Sequence, residues 1–304
     1  MVRESFLSIN EIRRLAWPCL SPLNPIPIMA MKKKLAVILF LLCLAGCASS
    51  RMTVNSVANP ENVPWQALSK NGITIEYQHP DERLISDLLQ QVVAGEHAVT
   101  EFFGSPFPKS YKVRIFSSRA EMDDFWSRTV ERPVASANCW MIASATAELL
   151  YILSPRIWLT EACANNPDRE SIQNTINHEL VHVYHAQLNP NKLWNMKGRT
   201  WFIEGLAVHA SKQLTARNWT SLKNIANSDA RPKGLGDFWG ATKKNSYSLS
   251  GSLIEYIDKT FGRDVIVQML SKTTKEELLD AIGVSEASLI QGWQSYVMRR
   301  PDAQ

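Results

Sequence analysis

DRESIQNTINHELVHVYHAQLNP, residues 168 to 190, carries an N-cap residue at one end, a helix breaker at the other and two histidines four positions apart between them. Asp168 follows Asn165-Asn166-Pro167 and sits where the first free backbone N–H groups of a helix need an acceptor. Asn189-Pro190 ends the run, because the residue before a proline is pushed out of the helical region. The pattern predicts a helix to about Leu188. On such a helix, residues four apart differ by about 40° around the axis, so His178 and His182 share a face and can turn their imidazoles to one tetrahedral metal ion. Glu179 lies beside them in this H-E-x-x-H motif, placed to take a proton from water without having to ligate.

Three fixed positions are few, so a second feature has to support the first. Trp201-Phe202-Ile203-Glu204-Gly205-Leu206-Ala207 supplies it. A polar loop through Arg199 precedes a helix read from about Thr200 to Leu214, and the loop is long enough to bring that helix back with Glu204 opposite the histidines. Two histidines and a carboxylate leave one tetrahedral position open, which is the composition of a catalytic rather than a structural zinc site. One Zn2+ per chain, on His178, His182 and Glu204, is the expectation.

With both segments in view the chain resembles the gluzincin zinc metallopeptidases. Trp201, Glu204, Gly205 and Ala207 match the Trp-x-x-Glu-Gly-x-Ala signature of their aminopeptidase-like members. The resemblance runs from about Ser171 to Val297 and loses clarity toward the end. It implies an α+β fold: an N-terminal mixed-sheet lobe packed on the active-site helix and a C-terminal helical lobe, as in thermolysin-like catalytic domains. It implies Glu179 as general base and a peptide or protein substrate. Two departures narrow it. No Gly-x-Met-Glu-Asn segment is present, so recognition of a free amino terminus has no support. Val208 stands four residues after Glu204, where thermolysin-like enzymes carry an aspartate that orients a zinc histidine, so that partner must come from elsewhere. A metzincin is excluded by His185 and Leu188, where that pattern needs Gly and His.

Working outward, residues 66–165 read as the sheet lobe and 166–304 as the helical lobe. Ile73 to Tyr77, Tyr111 to Phe116, Cys139 to Ile142 and Leu149 to Leu153 are β-rich, with helices at Glu82 to Phe103 and about Ala120 to Val130. Further helices are expected over 247–260, 264–271, 275–281 and 285–298. Tyr247 heads the first of these. It is a candidate donor to the oxyanion formed at a scissile carbonyl, the alternative being an interfacial helix tyrosine. His185 shares the histidine face one turn on, and a satisfied core histidine is the better reading; His209 points elsewhere. Lys192, Lys197 and Arg199 form a basic loop that is either solvated or set to meet an acidic substrate.

The N-terminus reads as addressing information. Met31-Lys32-Lys33-Lys34 opens a basic region, Leu35 to Leu44 is an apolar run, and Ala45-Gly46-Cys47 follows. The run is well short of the roughly 20 residues of a spanning helix. Leu44-Ala45-Gly46-Cys47 resembles the lipobox of bacterial lipoproteins, which implies a signal peptide over 31–46, acylation of Cys47 and a membrane partner through that N-terminal lipid. Ala48-Ser49 after the cysteine favours, by the same resemblance, the outer membrane facing the periplasm. Residues 1–30 precede a complete signal and are read as a mis-assigned upstream extension; 47–65, without apolar period, read as a tether. The whole chain of 304 residues carries 33 Lys+Arg against 29 Asp+Glu, but residues 1 to 46 hold six of the former and two of the latter. The remainder is balanced at 27 each, so no basic footprint for nucleic acid remains. Cys139 and Cys163 are left for a disulfide in an oxidising compartment, or as two small buried hydrophobes.

The expected function is therefore zinc-dependent hydrolysis of peptide bonds in the cell envelope. Two alternatives stand beside it: a non-catalytic lipoprotein retaining the metallopeptidase shape for envelope assembly, and a zinc hydrolase of another amide.

Overall fold

The computed structural model describes residues 64–301 apart from 71, 130–140, 163–166, 194–195 and 241–244. Cys47, Cys139 and Cys163 lie outside the described residues, as do the signal peptide and nearly all of the tether. Everything described belongs to one compact unit, Ser56–Gln304.

The fold is α+β. Strands β1 (Gln66–Lys70), β2 (Ile73–Tyr77), β3 (Lys112–Phe116), β4 (Ala143–Ala145) and β5 (Leu149–Leu153) form a mixed sheet in the order β1-β2-β3-β5-β4. The central pairs β2–β3 and β3–β5 are parallel, and each outer strand runs antiparallel to its neighbour. Sequence follows from position: Leu150 to Leu153 of β5 are all buried, as expected of a strand covered on both faces, whereas four of the five β1 residues are exposed. Helix α1 (Glu82–Phe103) packs on β2, and α2 (Arg119–Thr129) on β3. Phe125 and Trp126 of α2 meet the Tyr151 ring at 5.5 and 5.0 Å. Buried Asp81 ties the carboxyl ends of the central strands, accepting from Ser117 and Ser154 and from Arg156 Nε at 3.1 Å.

After the short α3 (Trp158–Glu161) the chain is helical. Helix α4 (Arg169–Leu188) lies against α1, β4 and β5. Asp168 caps it as predicted, Oδ1 accepting from Ser171 N at 2.7 Å. All nine residues from His178 to Ala186 are buried, and a helical stretch with no exposed face belongs inside a protein. Helix α5 (Thr200–Ala210) follows, then α6 (Ala216–Ala226), α7 (Asp237–Gly240), α8 (Ser246–Phe261), α9 (Arg263–Met269), α10 (Lys275–Ile282) and α11 (Glu286–Arg299).

Glycine decides how α5 meets α8. A Cβ on Gly205 would stand 2.5 Å from the Ser250 carbonyl oxygen, and one on Gly251 would stand 2.4 Å from Val208 Cγ1. The two backbones touch where no side chain fits, which brings the start of α8 up to the helix that carries Glu204.

Two readings need correction. The second ligand helix ends at Ala210, not near Leu214, because Lys212 takes a left-handed conformation (φ 59°) that reverses the chain. Arg199 is fully buried and Nη1 donates to the Lys272 carbonyl at 3.0 Å, so it belongs to neither a solvated loop nor a substrate contact. Lys192 is exposed and pairs with Glu148.

Candidate metal centre

Helix α4 presents His178 and His182 on one face, and α5 presents Glu204 toward them. His178 Nε2 and His182 Nε2 are 3.2 Å apart, and Glu204 Oε2 lies 3.4 Å from the first and 3.5 Å from the second. These three edges can be compared with what a metal would need. Four ligands at zinc bond lengths of about 2.0–2.1 Å span tetrahedral edges of about 3.3–3.4 Å. The triangle fits one face of that tetrahedron, and it is the one His/Cys/Asp/Glu group among the described residues that could hold a metal.

Charge in this pocket is organised by burial and mutual attraction. Burial resists ionisation of Glu204, but the two histidines outweigh it and hold the carboxyl below its ordinary range. Burial also works against a charge on His182, and Glu204 overcomes it, so the imidazole is pushed up. Glu179 differs: burial raises its pKa, with His182 and His178 pulling the other way and Glu204 adding to the rise. Its Oε2 is buried and has no hydrogen-bond partner among the described residues, which leaves an acceptor uncommitted beside the triangle.

Tyr247 stands at the mouth of the site, 41% exposed. Its ring centroid lies 6.0 Å from that of His178 and 4.9 Å from that of Trp239. Packing around the phenol, and the negative charge of Glu204 and Glu179, drive its pKa up, so the hydroxyl stays protonated and able to donate. His185, by contrast, is fully buried with its ring 5.3 Å from Phe202, and burial pushes its pKa down to about 3. It is a neutral core histidine. His209 faces away, donating from Nε2 to Asp258 Oδ2 at 2.8 Å. Trp201 is buried at the start of α5, its indole N–H on the Gly198 carbonyl at 3.1 Å, and so anchors the loop entering the ligand helix.

Sequence reasoning missed Gln213. Its Oε1 lies 3.0 Å from His178 Nδ1, and its Nε2 donates to the Asn174 carbonyl at 3.1 Å. No spacing rule links position 213 to 178; the contact exists because the chain turns back at Lys212. No protein-family model and no curated protein matches this chain.

Proposed function

We propose that the protein is a zinc-dependent peptidase of the gluzincin type, working in the bacterial envelope and tethered there through Cys47. The observation that carries the reading is the triangle of His178 Nε2, His182 Nε2 and Glu204 Oε2, with edges of 3.2 to 3.5 Å and an uncommitted buried acceptor, Glu179 Oε2, beside it. The α+β arrangement, with α4 between the sheet and the later helices, is compatible with that reading.

His178, His182 and Glu204 would hold the zinc ion. When bound, zinc supplies Lewis acidity, making water a stronger acid and polarising the carbonyl it meets. Glu179 takes the proton of the attacking water and returns it to the leaving amine; burial raises its proton affinity toward what both transfers need. Tyr247, kept protonated, donates to the oxygen on which negative charge develops. Strand β4, the outermost on its side of the sheet among the described residues, packs on α4 and would offer an extended peptide a backbone to pair with. Among the described residues no helix is long and apolar enough to cross a membrane.

Metal analysis and a peptide-library digest test the proposal. The purified chain should carry one zinc and cleave; Glu179→Gln should keep the zinc and lose about 100- to 10,000-fold in rate, the usual contribution of a general base. A wild-type chain that cleaves no peptide while holding zinc would point to another amide as substrate.

A further inference from the structure

The contact between Gln213 and His178 belongs neither to the ligand triangle nor to the proton transfer assigned to Glu179. A histidine that ligates through Nε2 must carry its proton on Nδ1, and something has to hold it there, because a neutral imidazole has one N–H and can place it on either nitrogen. The aspartate that could do this from one turn beyond Glu204 is absent, since Val208 occupies that position.

We infer that Gln213 fixes the His178 ring in the Nδ1–H form with Nε2 toward the metal, and that the left-handed turn at Lys212 is the device that delivers it. The inference rests on the metal-centre reading above. The orientation of the Gln213 amide follows from its two contacts. The Asn174 carbonyl only accepts, so the amide nitrogen must face it, at 3.1 Å. The amide oxygen then faces His178 Nδ1, at 3.0 Å, and an oxygen acceptor requires a proton on that nitrogen.

The turn explains how Gln213 arrives there. Gln213 N donates to the Val208 carbonyl and Lys212 N to the His209 carbonyl, both at 3.1 Å. With Lys212 at φ 59°, these are the six-to-one and five-to-two bonds of a Schellman C-cap closing α5. Glycine usually fills the left-handed position, yet here a lysine accepts the strain. One helix thus supplies Glu204 from its body and the orienting amide from its cap. His182 has no such support: its Nδ1 is buried without a hydrogen-bond partner among the described residues. His178 is the anchored ligand of the pair.

The test compares Gln213→Ala and Gln213→Met with the wild type, in the full chain in detergent. Two readouts are taken: the His178 tautomer from imidazole 15N shifts in metal-free protein, and zinc affinity by chelator competition. Wild type should show the Nδ1–H form. Gln213→Ala should lose that preference and bind zinc about 10- to 100-fold more weakly, as loss of an orienting partner does. Gln213→Met keeps the length and bulk of the side chain but has no amide oxygen, so it should lose the tautomer preference and the affinity as the alanine does, which separates orientation from general loss of packing. An unchanged tautomer and affinity in Gln213→Ala would overturn the inference, and so would a Gln213→Met variant that keeps the wild-type tautomer and affinity. A wild-type chain taking up no zinc would refute the metal-centre reading, while the tautomer still reports on the orientation.

Discussion

Gly205→Ala gives a test in which two physical effects have opposite signs. On an exposed helix, replacing glycine with alanine stabilises by about 1 kcal/mol, because the chain loses less freedom on folding. At Gly205 the added Cβ would meet the Ser250 carbonyl oxygen at 2.5 Å and the Ser250 carbonyl carbon at 2.7 Å, with Ile254 Cγ1 at 2.9 Å. The first two are backbone atoms of a buried helix and cannot swing aside. Restoring an ordinary carbon–oxygen separation of about 3.3 Å means moving α8 about 0.8 Å from α5. Overpacking of this kind costs about 1–3 kcal/mol, and contact with backbone argues for the upper part of that range, so the net expectation is destabilisation by about 1–2 kcal/mol. For a domain of this size that is a fall of about 2–8 °C in melting temperature. Since α8 carries Tyr247, displacement should also lower turnover more than zinc occupancy. Calorimetry and metal analysis on the same samples decide it. A variant as stable as wild type, or more stable, would show that the propensity term wins and that the helices do not approach as described.

Glu204→Ala should fail differently from Glu179→Gln: removing one of three ligands lowers zinc occupancy itself, measured by metal analysis after dialysis, with activity lost alongside. Lys212→Gly should stabilise, by about 0.5–1 kcal/mol in chemical denaturation, because glycine takes the left-handed position without strain, whereas Lys212→Val should destabilise. Burial opposes ionisation of Asp258, but hydrogen bonds from His209 and Arg263 and the Arg263 charge outweigh it and hold the carboxyl below its ordinary range. A depressed folded pKa contributes stability above the unfolded value of about 3.9 and loses it as pH falls toward the folded one, so Asp258→Asn should flatten the acid limb of the stability curve below about pH 4. Cys47→Ala should abolish fatty-acid labelling and release the protein from the membrane fraction; continued labelling would remove the tether from the proposal.

Which features were legible in the sequence follows from the range over which each is determined. Ile73–Tyr77, Glu82–Phe103 and Leu149–Leu153 came out with the boundaries their periodicity predicted, and Asp168 capped α4 as its position before the helix required. The pairing of His178 with His182 is legible for the same reason, since the helical period alone puts them on one face. Glu204 needed one step more, a return of the chain, which the length of the loop through Arg199 allowed and the resemblance of Trp201–Ala207 to a known signature reinforced. Strand β1 carried no signal because an exposed edge has no apolar face to alternate; of the expected strand Cys139 to Ile142 the first two residues lie outside the described ones, and β4 begins only at Ala143, three residues being too few to show a period. Helix α6 was missed although its sequence held the signs, Thr215 with Asn218 as a capping box and Trp219, Leu222 and Ala226 on one buried face. Gln213 is of another kind. Its place depends on a left-handed turn at a lysine, where no glycine marks the reversal, and on a partner in a different helix. Each is invisible to local pattern, so the orientation of His178 emerges only where two helices and a strained cap are seen together.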